Sequence, residues 1–406
     1  MAKKDVADLV VVGAGTIGGW ASYFARRIGA KRVVVLEQWR VGQGASSRAA
    51  GMVRAQGGNP TTVKLGQWSI DFYNRQRELL GTDSGFREHG YLILAVTKKD
   101  VEEGKKRVEM QRAAGLDVRW VEADEAVKLT PTLAPEGHRG GSYVATDGAI
   151  DPPRNVRAYS LAMQQRKVDL REGTTFLGLT TAGRGRTKRV TGVETSAGPI
   201  ATERVLLTGG PLLREVGKAA GGKILAGGAR HQVAVTSPAE AFDVERQTMV
   251  FDVGAGIYWR LEEGGLLWGM SNPKETPGEA TEIDWPYLRR MEKRLNALVP
   301  ATKGLGIRKA WAATIEYTPD HMPILGPVIR ADGTTVEGTT IATACGHGMM
   351  WGPAVARVAA DLAVKGKTKL IDVSELGMDR FDEHGHSKLA TDPIALPFPV
   401  SADDED

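Results

Sequence analysis

Two glycine-rich segments, one near each end of the chain, carry the residues whose types and spacing point to chemistry. The first reads Gly13-Ala14-Gly15-Thr16-Ile17-Gly18-Gly19, a G-x-G-x-x-G pattern. In such a pattern Gly13 suits a tight turn, Gly15 lets a pyrophosphate approach the backbone, and Gly18 lets helix and strand pack closely. Glu37 ends the next apolar run, where a carboxylate binds ribose hydroxyls and repels a 2′-phosphate. Together these residues imply a dinucleotide of the NAD or FAD kind, and by themselves they do not separate the two. The second segment, Gly346-His347-Gly348-Met349-Met350, precedes an Ala/Val-rich helical stretch. Glycines there admit something close to the backbone, and a helix N-terminus favours negative charge.

The elements that must position these residues are legible nearby. Leu9–Val12 is a continuous β-rich run, as expected of a strand buried on both faces. Residues 17–28 have helical character, Gly29 stands where a C-cap glycine belongs, and 33–36 form a second strand. The loop 42–60 is rich in Gly, Ser and Ala, and long loops in compact domains tend to be functional. Residues 61–81 read as a helix stopped by Gly81, 86–96 as a strand pair, and 98–115 as a charged surface helix. Asp151 and Pro152 mark the N-cap and first position of a helix within 147–167. Strands and turns follow, with a helix near 284–298. Residues 202–216 and 339–362 share the strand-then-glycine character of the first unit. The expected fold class is α/β: a Rossmann-like βαβ domain (1–81, 147–223 and 321–390) interleaved with a mixed, mainly antiparallel domain (82–146 and 224–320). A surface tail is expected over 391–406.

Composition narrows the function. The chain has 406 residues, 25% charged, with a net charge of +4, and its basic residues are scattered, which leaves no nucleic-acid footprint. Its densest basic run, "GRGRTKR" at 183–189, reads as a solvated hairpin tip. One cysteine, Cys345, excludes a disulfide framework and a cysteine-based metal site, and the seven histidines form no ligand cluster, so no metal is expected. With no convincing signal peptide and no run apolar enough to span a membrane, a cytoplasmic location is expected.

Four motifs, "LVVVGAGTIGGW…VVVLEQ", "GASSRAAGMVR", "TPDHMPILG" and "CGHGMMWGPA", occur in the order seen in FAD-dependent amine and amino-acid oxidoreductases of the D-amino-acid oxidase type. Within that superfamily the chain most resembles sarcosine oxidase and its secondary-amine relatives, including the catalytic subunits of heteromeric sarcosine oxidases and proline dehydrogenases. The resemblance implies that Gly13, Ala14, Gly15, Thr16 and Ile17 line the pyrophosphate turn. Glu37, followed by Gln38, would hold the adenosine ribose. Ser46, Ser47, Arg48 and Met52 would lie beside phosphate and flavin, and the Thr175 backbone would meet adenine. Gly209 and Gly210 match a small-residue turn near the cofactor, and Gly346, His347, Gly348, Met349 and Met350 match the segment that meets the flavin ring. There, the free N–H groups of the following helix would stabilise charge on the reduced ring.

Single residues carry the rest. His347 either lines the substrate pocket, where it would bind a carboxylate or tune protonation, or is bonded within its loop. Tyr258 matches an aromatic pocket position, with core packing as the alternative. Arg54 is the candidate carboxylate clamp and Arg260 its backup. Asp320 is expected to order a turn. The family's flavin-linking cysteine is matched by Ala313, which implies non-covalent FAD. The lysines that assist reaction with oxygen are matched by Leu267 and Met350, which leaves the acceptor as oxygen or another species. The histidine that links a second flavin is missing from "DGAIDPPRN". The implied reaction is oxidation of a secondary amine or N-substituted amino acid by hydride transfer to flavin N5, giving an imine that hydrolyses. Its rivals are a D-amino-acid oxidase or dehydrogenase acting on primary amines, and a flavin-bearing subunit of a heteromeric complex. Homo- and hetero-oligomers are both compatible with the sequence.

Overall fold

The computed structural model describes residues 5–184, 188–245, 247–330 and 332–395. Leu9–Val12 and Val33–Glu37 are buried at every position and pair in parallel, with Leu9 opposite Val33. The helix Thr16–Arg27 crosses between them, and it starts one residue earlier than its periodicity suggests. These two strands sit in a six-stranded sheet ordered Leu325–Gly326, Thr339–Ala342, Val205–Leu207, Leu9–Val12, Val33–Glu37, Asp169–Glu172. Its pairings are parallel except at the Leu325–Gly326 edge. Helices Thr16–Arg27, Pro60–Leu80, Pro152–Gln165 and Gly352–Lys365 bury their apolar sides on it, and Trp20 meets Phe72 edge-on at 5.0 Å. The N-cap reading at Asp151 holds, since its side chain accepts from the Arg154 amide.

A second, eight-stranded sheet runs Ile307–Tyr317, Gly227–Thr236, Gly265–Met270, Ile257–Glu262, Met249–Asp252, Tyr91–Leu94, Gly141–Val144, Arg119–Val121. It is antiparallel apart from the pairing of Met249–Asp252 with Tyr91–Leu94. Strand alternation gives it two apolar faces. Trp259 and Trp268 pack beneath the helix Trp285–Leu298, while Tyr258, Leu267, Phe251 and Tyr91 form a cluster on the opposite side. The mixed α/β class expected from the sequence is the one observed.

Two local expectations change and one, at Asp320, is borne out and extended. Residues 86–96 are not a hairpin: Arg87–Glu88 joins a small separate sheet and Tyr91–Leu94 the large one. The His89 and Gly90 amides between them both bind the Asp147 carbonyl, and Gly90 has φ +75°, so the chain bends away. Asp320 does order its turn, accepting from the Met322 amide, but it also forms a buried two-toothed ion pair with Arg380. The expected surface tail is packed over its first residues, where Asp392 and Ile394 are buried. The tip residues 185–187 and the acidic stretch 396–406 lie outside the described residues.

Candidate cofactor and substrate cavity

The first glycine turn divides its labour. A Cβ on Gly18 would sit 1.9 Å from the Gly13 carbonyl oxygen, and one on Gly13, already at φ +96°, would sit 2.8 Å from the Thr208 carbonyl oxygen. Both positions therefore exclude a side chain for reasons internal to the fold. Gly15 is different, because its Cβ would meet only the Ser46 hydroxyl, at 3.1 Å, a group that also accepts from the Thr16 amide at 2.9 Å. Glu37 spends one carboxylate oxygen on the Ala14 amide and the other on the Trp39 amide, both at 2.9 Å. It thereby organises the turn.

These groups open onto a cavity of about 420 Å³. Its wall includes Gly13, Gly15, Thr16, Ile17, Glu37, Gln38, Ser46, Arg48, Met52, Thr175, Gly209 and Gly210, then Gly346, His347, Gly348, Met349 and Met350, and also Arg54, Tyr258 and Ala313. Two expected residues do not line it. Ala14 is buried behind the turn, where its amide binds Glu37 and its carbonyl accepts from Tyr159 and Gly42, and Ser47 belongs to the short turn Ala45–Ser47. Arg260, the backup clamp, is absent from the wall, since its guanidinium binds the Ala50 and Leu261 carbonyls and Glu262. Leu267 is buried in the sheet cluster and also stands off the wall.

At the far end, Cys345 (φ +47°) and Gly346 (φ +72°) turn the chain out of strand Thr339–Ala342. The His347 amide binds the Ala344 carbonyl, and the Met350 and Trp351 amides bind the His347 carbonyl. The helix begins only at Gly352, and its Ala354 amide binds the Ser69 hydroxyl. So the turn 346–350, rather than the first turn of the helix, faces the cavity, which corrects the expectation of free helix N–H groups there. His347 donates from Nδ1 to the Cys345 carbonyl at 2.6 Å, because a carbonyl only accepts, so its Nε2 is an acceptor. Burial, aided by the Arg54 charge, pulls the His347 pKa down to about 3. Its ring stacks on Trp351, with centroids 4.2 Å apart, so it is both bonded within its loop and part of the wall. Trp351 packs against the histidine and does not line the cavity.

Tyr258 comes from the large sheet. Its ring lies across Gly269 on the neighbouring strand, where a Cβ would meet the Tyr258 hydroxyl at 2.2 Å. That gap lets the hydroxyl reach one strand further, to His231 Nε2 at 2.5 Å, and His231 Nδ1 meets the Ser271 hydroxyl at 2.9 Å. Burial pulls the His231 pKa down to about 4 and pushes the Tyr258 hydroxyl up. The result is a neutral chain Tyr258–His231–Ser271 ending at the cavity. Arg54 is 2% exposed. It donates from Nη1 to the Gln56 carbonyl and from Nη2 to the Ile394 carbonyl, while Nε has no protein partner.

Sequence reasoning missed His231, Glu316 and Ile394. In strand Gly227–Thr236, alternation puts His231 on the same side as Val233 and Val235, a polar residue on an apolar face, and that was the available signal. Glu316 is buried on the cavity wall; one oxygen accepts from the Ala344 amide, while Oε2 has no partner and lies 3.9 Å from where a Gly210 Cβ would be. Burial raises its pKa. An orphan buried oxygen of this kind, between the Gly209–Gly210 turn and the Gly346 turn, fits a polar ligand that fills the cavity from the nucleotide turn onward. The residues present therefore suit a dinucleotide.

Residues 8–362 match the family described as FAD dependent oxidoreductase. The chain belongs to that family. FAD is accordingly the dinucleotide that the cavity takes. The chain is 27% identical over 93% of its length to 4-methylaminobutanoate oxidase (formaldehyde-forming) of Paenarthrobacter nicotinovorans, yet it spans only 46%, less than half, of that enzyme. It is 26% identical to glycine oxidase of Geobacillus kaustophilus, covering 92% of this chain and 97% of the relative. The crystal structure of L-proline dehydrogenase from P. horikoshii superposes with a TM-score of 0.82 at 26% identity, covering 91% of this chain and 96% of the other. No helix among the described residues is long and apolar enough to cross a membrane.

Proposed function

We propose that the protein oxidises the C–N bond of a small secondary amine or N-substituted amino acid that carries a carboxylate, giving an imine that water hydrolyses. In this reading residues 1–81, 147–223 and 321–390 hold non-covalent FAD, and 82–146 with 224–320 enclose the substrate. Gly13 to Ile17 carry the pyrophosphate, Glu37 and Gln38 the ribose, and Thr175 the adenine. Ser46, Arg48, Met52, Gly209 and Gly210 flank phosphate and flavin, and Gly346–Met350 meet the ring. When bound, the flavin accepts the hydride from the carbon beside the amine nitrogen.

One observation carries this reading: a hydroxyl chain and a guanidinium line the same cavity as the turn 346–350. Arg54, a buried guanidinium on the cavity wall, suits a carboxylate. In the His231 tautomer that accepts at Nε2, the Tyr258 hydroxyl donates to the ring and keeps its oxygen as an acceptor for an amine N–H, and His231 provides an exit for a proton. Neutral histidines and the apolar surfaces of Met349, Met350 and Phe251 favour the uncharged amine. The similar proteins named above support the substrate class, since methylaminobutanoate, glycine and proline each join an amine to a carboxylate. Met350 on the wall, and Leu267 behind it, favour an electron acceptor other than oxygen. The single, buried cysteine supports a cytoplasmic location.

The test is anaerobic turnover with a redox dye, offering N-methyl, cyclic and primary D-amino acids in parallel. Dye reduction with aldehyde or cyclic imine formation from the secondary amines supports the proposal. Reduction by the primary D-amino acids alone would replace it.

A further inference from the structure

Residues 391–395 return to the substrate end of the cavity. The Asp392 amide binds the Asp320 carbonyl at 3.1 Å, and its carboxylate accepts from the Ile394 amide at 3.0 Å. Gly58 leaves room for this small turn, for a Cβ there would sit 2.2 Å from Asp392 Oδ1. Ile394 is wholly buried, clusters with Met52, Tyr91, Phe251 and Tyr258, and stands on the cavity wall. Its carbonyl takes the Arg54 Nη2 hydrogen bond at 2.7 Å. A segment whose composition reads as surface is therefore joined, by side chain and by backbone, to the residues that line the cavity.

We propose that this segment is a strap that sets which substrates fit: the Ile394 side chain closes the pocket around the group attached to the amine or its α-carbon, and the Ile394 carbonyl holds the Arg54 guanidinium on the cavity wall, beside the substrate carboxylate. The Ile394 role makes it a specificity-determining residue, and Arg54 is positioned through it. A branched side chain at this point limits the pocket to substituents of a few carbons. The inference rests on the reading of Arg54 as the carboxylate site.

The test uses carboxylates as probes, so it requires neither turnover nor knowledge of the substrate. Acetate, pentanoate and benzoate are titrated into the FAD-loaded protein, and the change in the visible flavin spectrum is followed. In the native chain acetate binds and benzoate binds at least about 10-fold more weakly. Ile394→Ala brings benzoate level with acetate, Ile394→Phe drives pentanoate out while acetate stays, and Ile394→Leu behaves like the native chain. Arg54→Met binds none of the three. A ranking of the three carboxylates that stays as in the native chain in both Ile394→Ala and Ile394→Phe would overturn the strap while leaving the Arg54 reading intact. Absence of any spectral change with the native protein would overturn both.

Discussion

The two ends of the cavity are built in different ways. The nucleotide end is built around a backbone turn: glycines at 13 and 18 that no side chain can replace shape it, and Glu37 is locked onto two amides. The substrate end is built from side chains, drawn from the loop after the first βαβ unit (Arg54), two strands of the large sheet (His231, Tyr258), the late turn (His347) and the chain's last described residues (Ile394). Backbone recognition is local, so its residues must be neighbours and their types are constrained by sterics. Side-chain recognition is assembled by topology, so its residues are free to be far apart and to change with substrate. The first arrangement suits a cofactor held in common with relatives, the second a substrate that differs among them.

Variants can break or sharpen that contrast. The largest effect is expected from Gly18→Ala, whose Cβ collides with the Gly13 carbonyl; it should destabilise the fold by about 3 kcal/mol and yield protein without flavin, checked by thermal unfolding and absorbance. Arg54→Met should lower kcat/KM about 100-fold for amines that carry a carboxylate, because a charge-assisted pairing is lost, and far less for amines without one. Tyr258→Phe should slow anaerobic flavin reduction by about 100-fold while FAD stays bound, as expected for loss of a group that handles a proton. Gly348→Ala tests the border between the two ends. Its Cβ meets nothing within 4 Å in the protein itself, so the apoprotein should unfold unchanged, while FAD affinity falls about 10-fold. Smallest is the pH effect. His231 and His347 titrate at about 4 and about 3, so above about pH 5.5 both stay neutral and add no inflection. Flavin reduction should then rise with pH only as the substrate amine loses its proton, and the inflection should move when an amine of different pKa is used. One fixed inflection for every amine would instead assign the titration to the protein.

The same contrast explains what could be read from the sequence. The nucleotide turn, its two strands and helix, and Glu37 are contiguous and each has one steric or hydrogen-bonding reason, so their positions were legible. Tyr258 and His347 were legible only as members of motifs. The Tyr258–His231 contact was not, since it depends on Gly269 opening a gap between strands that are adjacent only once the sheet forms. Arg260 failed as a clamp because Glu262, on the same strand side, takes its guanidinium. The strap was hidden by composition: polar residues before Ile394 suggest solvent, yet Asp392 satisfies backbone groups and lets the chain turn inward.

The most direct test of the central claim is the visible spectrum of the purified protein before and after anaerobic mixing with N-methyl, cyclic and D-amino acids. Flavin bands that bleach with at least one carboxylate-bearing secondary amine and persist with primary D-amino acids are expected. A protein that shows no flavin bands even after FAD is added, or whose bands bleach only with primary amines, would contradict that claim.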